Sequence, residues 1–252
     1  MAATDIFKHW KRIMDLIYSL FEPPILVKNN IRTDENEWEI FLGNLELAKQ
    51  YIEEGCPETN YVFIKTVDYI PLKRVDIDIL LFNNFQNCVT SLKAKGLNIV
   101  KRDEHSITLA INQIQLDLHK SISTVFILFN IPTKYAVDKF YGFNIFKPHL
   151  NLLMYLIDII DKKCINLGLL LNIVYALALI KSLDPIEFIK TYCLTHLQDL
   201  SSLPWRLPLA FKAKILYNIY ATLNNLKCNL SGWIKPKSFS AIISDFAFLL
   251  KP

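Results

Sequence analysis

Two carboxylates one residue apart, Asp76 and Asp78, sit inside the apolar run Val75-Asp76-Ile77-Asp78-Ile79-Leu80-Leu81. So many β-branched and aliphatic residues predict a buried strand. Side chains alternate along a strand, which puts Asp76 and Asp78 on one face and Ile77 and Ile79 on the other. Carboxylates held that close repel, and each resists ionising. Water over that face relieves the repulsion, and for an Asp-x-Asp pair taken alone this is the plainer reading. A shared cation relieves it too: Mg²⁺ takes one or two carboxylates and fills its other positions with water and phosphate oxygens.

A third acid changes the balance. Asp117 lies mid-run in Gln113-Ile114-Gln115-Leu116-Asp117-Leu118-His119. If the two acidic strands share one sheet, Asp117 comes beside Asp76 and Asp78. Three carboxylates on adjacent strands make a two-metal site, with the ions roughly 3.5–4 Å apart and clamping an in-line displacement.

The flanking pattern supplies elements to hold these strands. Ile6, Trp10, Ile13, Met14 and Ile17 recur at helical spacing, and Pro23-Pro24 is expected to end that helix. Residues 25–31 read as extended, and a second helix is expected over 36–53. Tyr61 to Ile64 reads as a strand, followed by Lys65, Thr66 and a loop from Val67 to Arg74. Past the acidic strand come a helix over Phe85 to Lys95 stopped by Gly96, a strand at Leu97 to Val100, and a strand pair over 106–111 and 114–119. After about residue 124 the spacing turns helical, with Leu150, Leu153, Met154, Ile157, Leu171 and Val174 on apolar stripes. Leu203 to Pro208 reads as a loop, and 211–226 and 239–250 as two last helices. The expected architecture is α+β: residues 1–124 form a mixed sheet with flanking helices, and residues 125–252 an all-helical domain.

Composition narrows the function classes. The chain has 252 residues, of which 52% are hydrophobic and only 6 are glycine, which argues against glycine-rich phosphate loops. The formal charge of +4 is compatible with nucleotide or nucleic-acid partners without demanding them. Five cysteines, with no Cys-x-x-Cys pair, support neither a disulfide framework nor a zinc site and fit a reducing, cytoplasmic compartment. No secretory signal opens the chain, and its most apolar run, 165–180, is shorter than the roughly 18–20 residues of a membrane span.

Over about residues 35 to 120 the chain resembles the DNA polymerase β-like nucleotidyltransferase superfamily. The signature there is a strand, Gly-Gly or Gly-Ser, about ten residues, a strand with Asp-x-Asp, and a third Asp on a later strand. Tyr61 to Ile64, the strand with Asp76 and Asp78, and Asp117 follow that order, with Lys65-Thr66 standing where the family has its small pair. The resemblance implies a nucleotidyltransferase-type fold and transfer of NMP from an NTP such as ATP to an acceptor hydroxyl. It also implies two Mg²⁺ ions on Asp76, Asp78 and Asp117. Lys65, Thr66, Lys73 and Arg74 are the candidates for the phosphates. RNA or tRNA is the expected acceptor class, with Lys212, Lys214, Lys227, Lys235, Lys237 and Lys251 biasing the last part of the chain basic. The other reading is a catalytically inactive relative that binds nucleotide or a protein partner. Of the remaining residues, His119 shares the face of Asp117 and reads first as structural, Asp68 as a solvated loop acid, and Trp205-Arg206 as a hydrophobic plug.

Overall fold

A computed structural model describes residues 2–74, 76–111, 114–123, 127–129, 137–162, 164–192, 205–206 and 234–236. The helices expected over 211–226 and 239–250, and all the late lysines except Lys235, lie outside the described residues.

Helix α1 (Ala2–Leu20) buries Ile6, Trp10, Ile13, Met14 and Ile17, the stripe its spacing predicts. The double proline follows this helix and opens another, α2 (Pro23–Lys28), correcting the expected extended stretch. Proline lacks only an N–H that the first helical turn leaves unpaired anyway. Helix α3 (Glu35–Gly55) is capped by Asp34, whose carboxylate accepts the Asn36 N–H at 2.8 Å.

Strands β1 (Tyr61–Phe63) and β2 (Ile77–Leu81) pair antiparallel, and α4 (Phe85–Ala94) follows. Next come β3 (Asn98–Arg102), β4 (Ser106–Ile111) and β5 (Ile114–His119), then the short β6 (Ile122–Ser123) and β7 (Ile127–Phe129). Strands β8 (Val137–Phe140) and β9 (Phe143–Phe146) form a hairpin whose turn residues Tyr141 and Gly142 both have positive φ, at 48° and 84°. This hairpin corrects the all-helical reading of the stretch after 124. It joins the main sheet, where β9 runs parallel to β1, and completes the seven-stranded order β3-β4-β5-β2-β1-β9-β8.

Three further helices, α5 (Pro148–Lys162), α6 (Leu167–Ile180) and α7 (Pro185–Tyr192), follow the sheet. Ile77, Ile79, Leu116 and Leu118 belong to an apolar cluster that runs from Ile6 to Ile189, so residues on both sides of position 124 share one core. On the opposite face, α5 lays Leu150, Leu153, Met154 and Ile157 over Val62, Ile64 and Leu80. Among the described residues no helix is long and apolar enough to cross a membrane.

Two details depart from the sequence reading. Cys56 and Cys88 are joined as a disulfide between the end of α3 and α4, with Cα atoms 4.9 Å apart, within bridging range. Their separation of 32 residues carried no pairing signal. Trp205-Arg206 pairs antiparallel with Cys164-Ile165 and so forms a short strand where a loop was expected.

The core also holds a histidine. His9 Nε2 donates to the Tyr69 carbonyl at 3.1 Å, which leaves Nδ1 to accept the Tyr141 hydroxyl at 3.2 Å. Burial depresses its pKa from 6.5 to about 4, against the pull of the Tyr69 carbonyl. The unfolded chain therefore binds a proton that the folded one refuses. The stability tied to neutral His9 is complete above pH 6.5 and is lost as pH falls to about 4. We expect a loss of about 3 kcal/mol across that window. Urea denaturation at several pH values checks it: His9→Gln should flatten the slope, and an unchanged slope would refute the assignment.

Candidate metal centre

Strand register builds the site. β2 and β5 are parallel neighbours, and Asp78 is the direct partner of Asp117. Asp76 precedes β2 by one residue and shares the face of Asp78. One carboxylate oxygen from each of the three lies within 4.8 Å of the others, and all three residues are partly buried. The sequence expectation that these acids meet on adjacent strands is what the sheet shows.

The electrostatics follow from that crowding. Asp76 is pushed above the usual carboxylate range, by burial first and then by the charge of Asp78, with Asp117 adding to it. Asp117 Oδ1 is buried and has no hydrogen-bond donor among the described residues. An acceptor-only group with no donor is costly unless something positive meets it. The donor set is all carboxylate oxygen, with no thiolate or imidazole within the trio, and suits a hard divalent cation. The trio can therefore hold a metal ion.

Asp78 is fixed from three sides. Its backbone N–H donates to Thr66 Oγ1 at 2.8 Å, and its carbonyl accepts the Ile64 N–H at 2.9 Å. Its carboxylate Oδ1 takes a hydrogen bond from His119 Nε2 at 2.8 Å. Thr66 in turn donates its hydroxyl to the Ile64 carbonyl at 3.0 Å and is 1% exposed. The expected hydroxyl for phosphate is thus committed to clasping the corner after β1 onto β2. Lys65 stands at that corner with φ 56°. Its ammonium lies 3.6 Å from Asp158 of α5.

Arg74 departs furthest from its expected phosphate role. It is buried, with Nε 3.1 Å from Asp68 Oδ2 and Nη1 3.2 Å from Asp158 Oδ2. Burial opposes its charge, but Asp68 and Asp158 outweigh that and hold its pKa above the ordinary arginine value. Asp68 is 1% exposed, not solvated, and burial pushes its carboxyl up while Arg74 pulls it down. Lys73 remains exposed and pairs with Glu37 at 3.5 Å. Sequence reasoning missed Asp158 altogether. The available signal was an acid inside the apolar run Ile157-Asp158-Ile159-Ile160, where an unpaired charge would be prohibitive if the run were buried.

No family model matches the chain, and neither a curated protein nor a solved structure does.

Proposed function

We propose that the protein is a metal-dependent nucleotidyltransferase. The observation that carries this reading is the pairing of Asp78 with Asp117 across parallel strands, with Asp76 in reach of both. The backbone at position 65 adds support. A φ of 56° is a conformation glycine enters freely and other residues at a cost of about 1 kcal/mol or more. Lys65 stands where the superfamily it resembles has glycine, and a backbone conformation that favours glycine at that position supports the reading.

Mg²⁺ fits the all-oxygen donor set, and two such ions, when bound, neutralise triphosphate charge and activate an acceptor hydroxyl. Asp76, Asp78 and Asp117 supply the ligands. As the acceptor oxygen bonds to the α-phosphorus and the bond to pyrophosphate breaks, the hydroxyl proton goes to the carboxylate of Asp117. Lys65 brings a partly exposed ammonium to the corner hydrogen-bonded to Asp78 and is the first candidate to meet the phosphates, with Lys73 further out. Thr66 and Arg74 act by positioning. RNA, tRNA included, is the acceptor class proposed, on the net basic charge of +4.

A second reading, an inactive nucleotide-binding relative, draws on the same two residues, since Thr66 and Arg74 are tied to protein partners and not presented to phosphate. One assay separates them. Each NTP, labelled at its α-phosphate, is incubated with Mg²⁺ and total cellular RNA, with the Asp76→Asn/Asp78→Asn double variant alongside. Label in RNA with wild type only is the expected result. Nucleotide binding without transfer supports the inactive reading, and transfer by the double variant ends the proposal.

A further inference from the structure

We propose that His119 determines which divalent cation the carboxylate trio accepts, selecting a small octahedral ion over Ca²⁺. The inference rests on the metal-centre reading above. His119 lies two register pairs beyond Asp117, opposite Leu80 of β2 and Ser106 of β4, so a central strand fixes its backbone. Its Nε2 is 2.8 Å from Asp78 Oδ1, with the two side chains 25% and 19% exposed. An ionised carboxylate offers only acceptors, so Nε2 carries the hydrogen and donates it.

That bond divides the labour of Asp78. One oxygen is held by the imidazole, and the other is left for a cation. Ca²⁺ gathers six to eight oxygens and often takes both oxygens of one carboxylate, whereas Mg²⁺ demands octahedral geometry with one or two carboxylates and several waters. With Oδ1 engaged, Asp78 is a poor two-oxygen chelator. The site is left with single oxygens from Asp78 and its neighbours Asp76 and Asp117. Such a set suits Mg²⁺ or Mn²⁺. His119 touches neither substrate nor ion in this scheme and is a positioning residue, as groups hydrogen-bonded to metal ligands commonly are.

Direct binding of metal alone tests it. Mn²⁺ affinity is measured by electron paramagnetic resonance and Ca²⁺ affinity by calorimetry, on wild type, His119→Ala, His119→Gln and Asp78→Asn, with thermal melts confirming that each is folded. We expect His119→Ala to lose about tenfold in Mn²⁺ affinity while its Ca²⁺ affinity holds or improves. His119→Gln, whose amide N–H can reach the same oxygen, should recover most of the preference. Equal weakening for both ions marks a merely structural histidine and overturns the inference. An unchanged ratio in His119→Ala, with binding lost in Asp78→Asn, also overturns it and leaves the metal centre standing. Absence of Mn²⁺ binding by wild type overturns both.

Discussion

In metal-free buffer, Asp78→Asn is expected to melt a few degrees above wild type, and adding Mg²⁺ should raise the wild-type melting temperature only. The first half follows from like-charge crowding. Unit charges at the separation within the trio, at most 4.8 Å, repel by about 3–4 kcal/mol at an effective dielectric of 20. Partial exposure and salt reduce this to about 1 kcal/mol, or about 2–4 °C for a chain of this size. The sign agrees with Asp76. Its carboxyl is raised by burial and by Asp78, so the stability linked to it is present at low pH and lost as pH rises through the folded value. The penalty therefore stands at neutral pH, and Asp78→Asn removes part of it. The amide also keeps an oxygen for His119 and for the strand it stabilises. The second half is mass action: a ligand at about a hundred times its dissociation constant adds about 2.7 kcal/mol to the folded state. Calorimetric melts with and without Mg²⁺ decide the matter. A lower melting temperature for Asp78→Asn in the metal-free comparison, or an equal Mg²⁺ response in both proteins, would show that the carboxylates are not a strained cation site.

The site was legible where its residues obey local rules. Asp76 and Asp78 announce themselves because period-two alternation puts both on one face of an apolar strand, and Asp117 because an acid interrupts a second such run. Their meeting needed only a parallel neighbour relation, which the βαβ-like order allowed. What the sequence concealed is everything that depends on distant partners. Arg74 and Lys73 look equivalent as neighbours in a loop, yet one is buried and the other exposed, and the difference is set by Asp158, 84 residues further on from Arg74. Thr66 offers the same hydroxyl whether it faces a phosphate or the backbone of Asp78. The β8–β9 hairpin went unread because its turn is Tyr-Gly in place of Asn-Gly or Asp-Gly, and its flanking strands are four residues each. Cys56 and Cys88 come together only once α3 and α4 are packed, which no spacing rule states.

Arg74→Met should be the most destabilising single change among these residues, at about 3–5 kcal/mol. Side-chain exposures of 9% for Arg74, 2% for Asp68 and 4% for Asp158 leave little water to replace the lost partner. Methionine fills much of the arginine stem's volume, so the cost isolates the charge and not a cavity. Two buried carboxylates would remain, with Lys65, 3.6 Å from Asp158, left to offset part of their charge. Asp68, already raised by burial against the opposing charge of Arg74, would rise further and take up a proton on folding. The variant's stability should then fall with rising pH over a wider range than wild type's, because Asp68 is already raised there and the loss of Arg74 raises it further. A neutral replacement of the whole cluster, Arg74→Met with Asp68→Asn and Asp158→Asn, should regain a large part of the loss, because buried ion pairs are often matched by uncharged groups. Urea denaturation of the single and triple variants reads both effects. Arg74→Met within about 1 kcal/mol of wild type would mean that the cluster is hydrated and its charges are not interdependent. The expected loss would instead establish that α5 is bolted through Asp158 to the loop leading into β2, so that the helix covering Leu80 and the strand carrying Asp78 hold their places together.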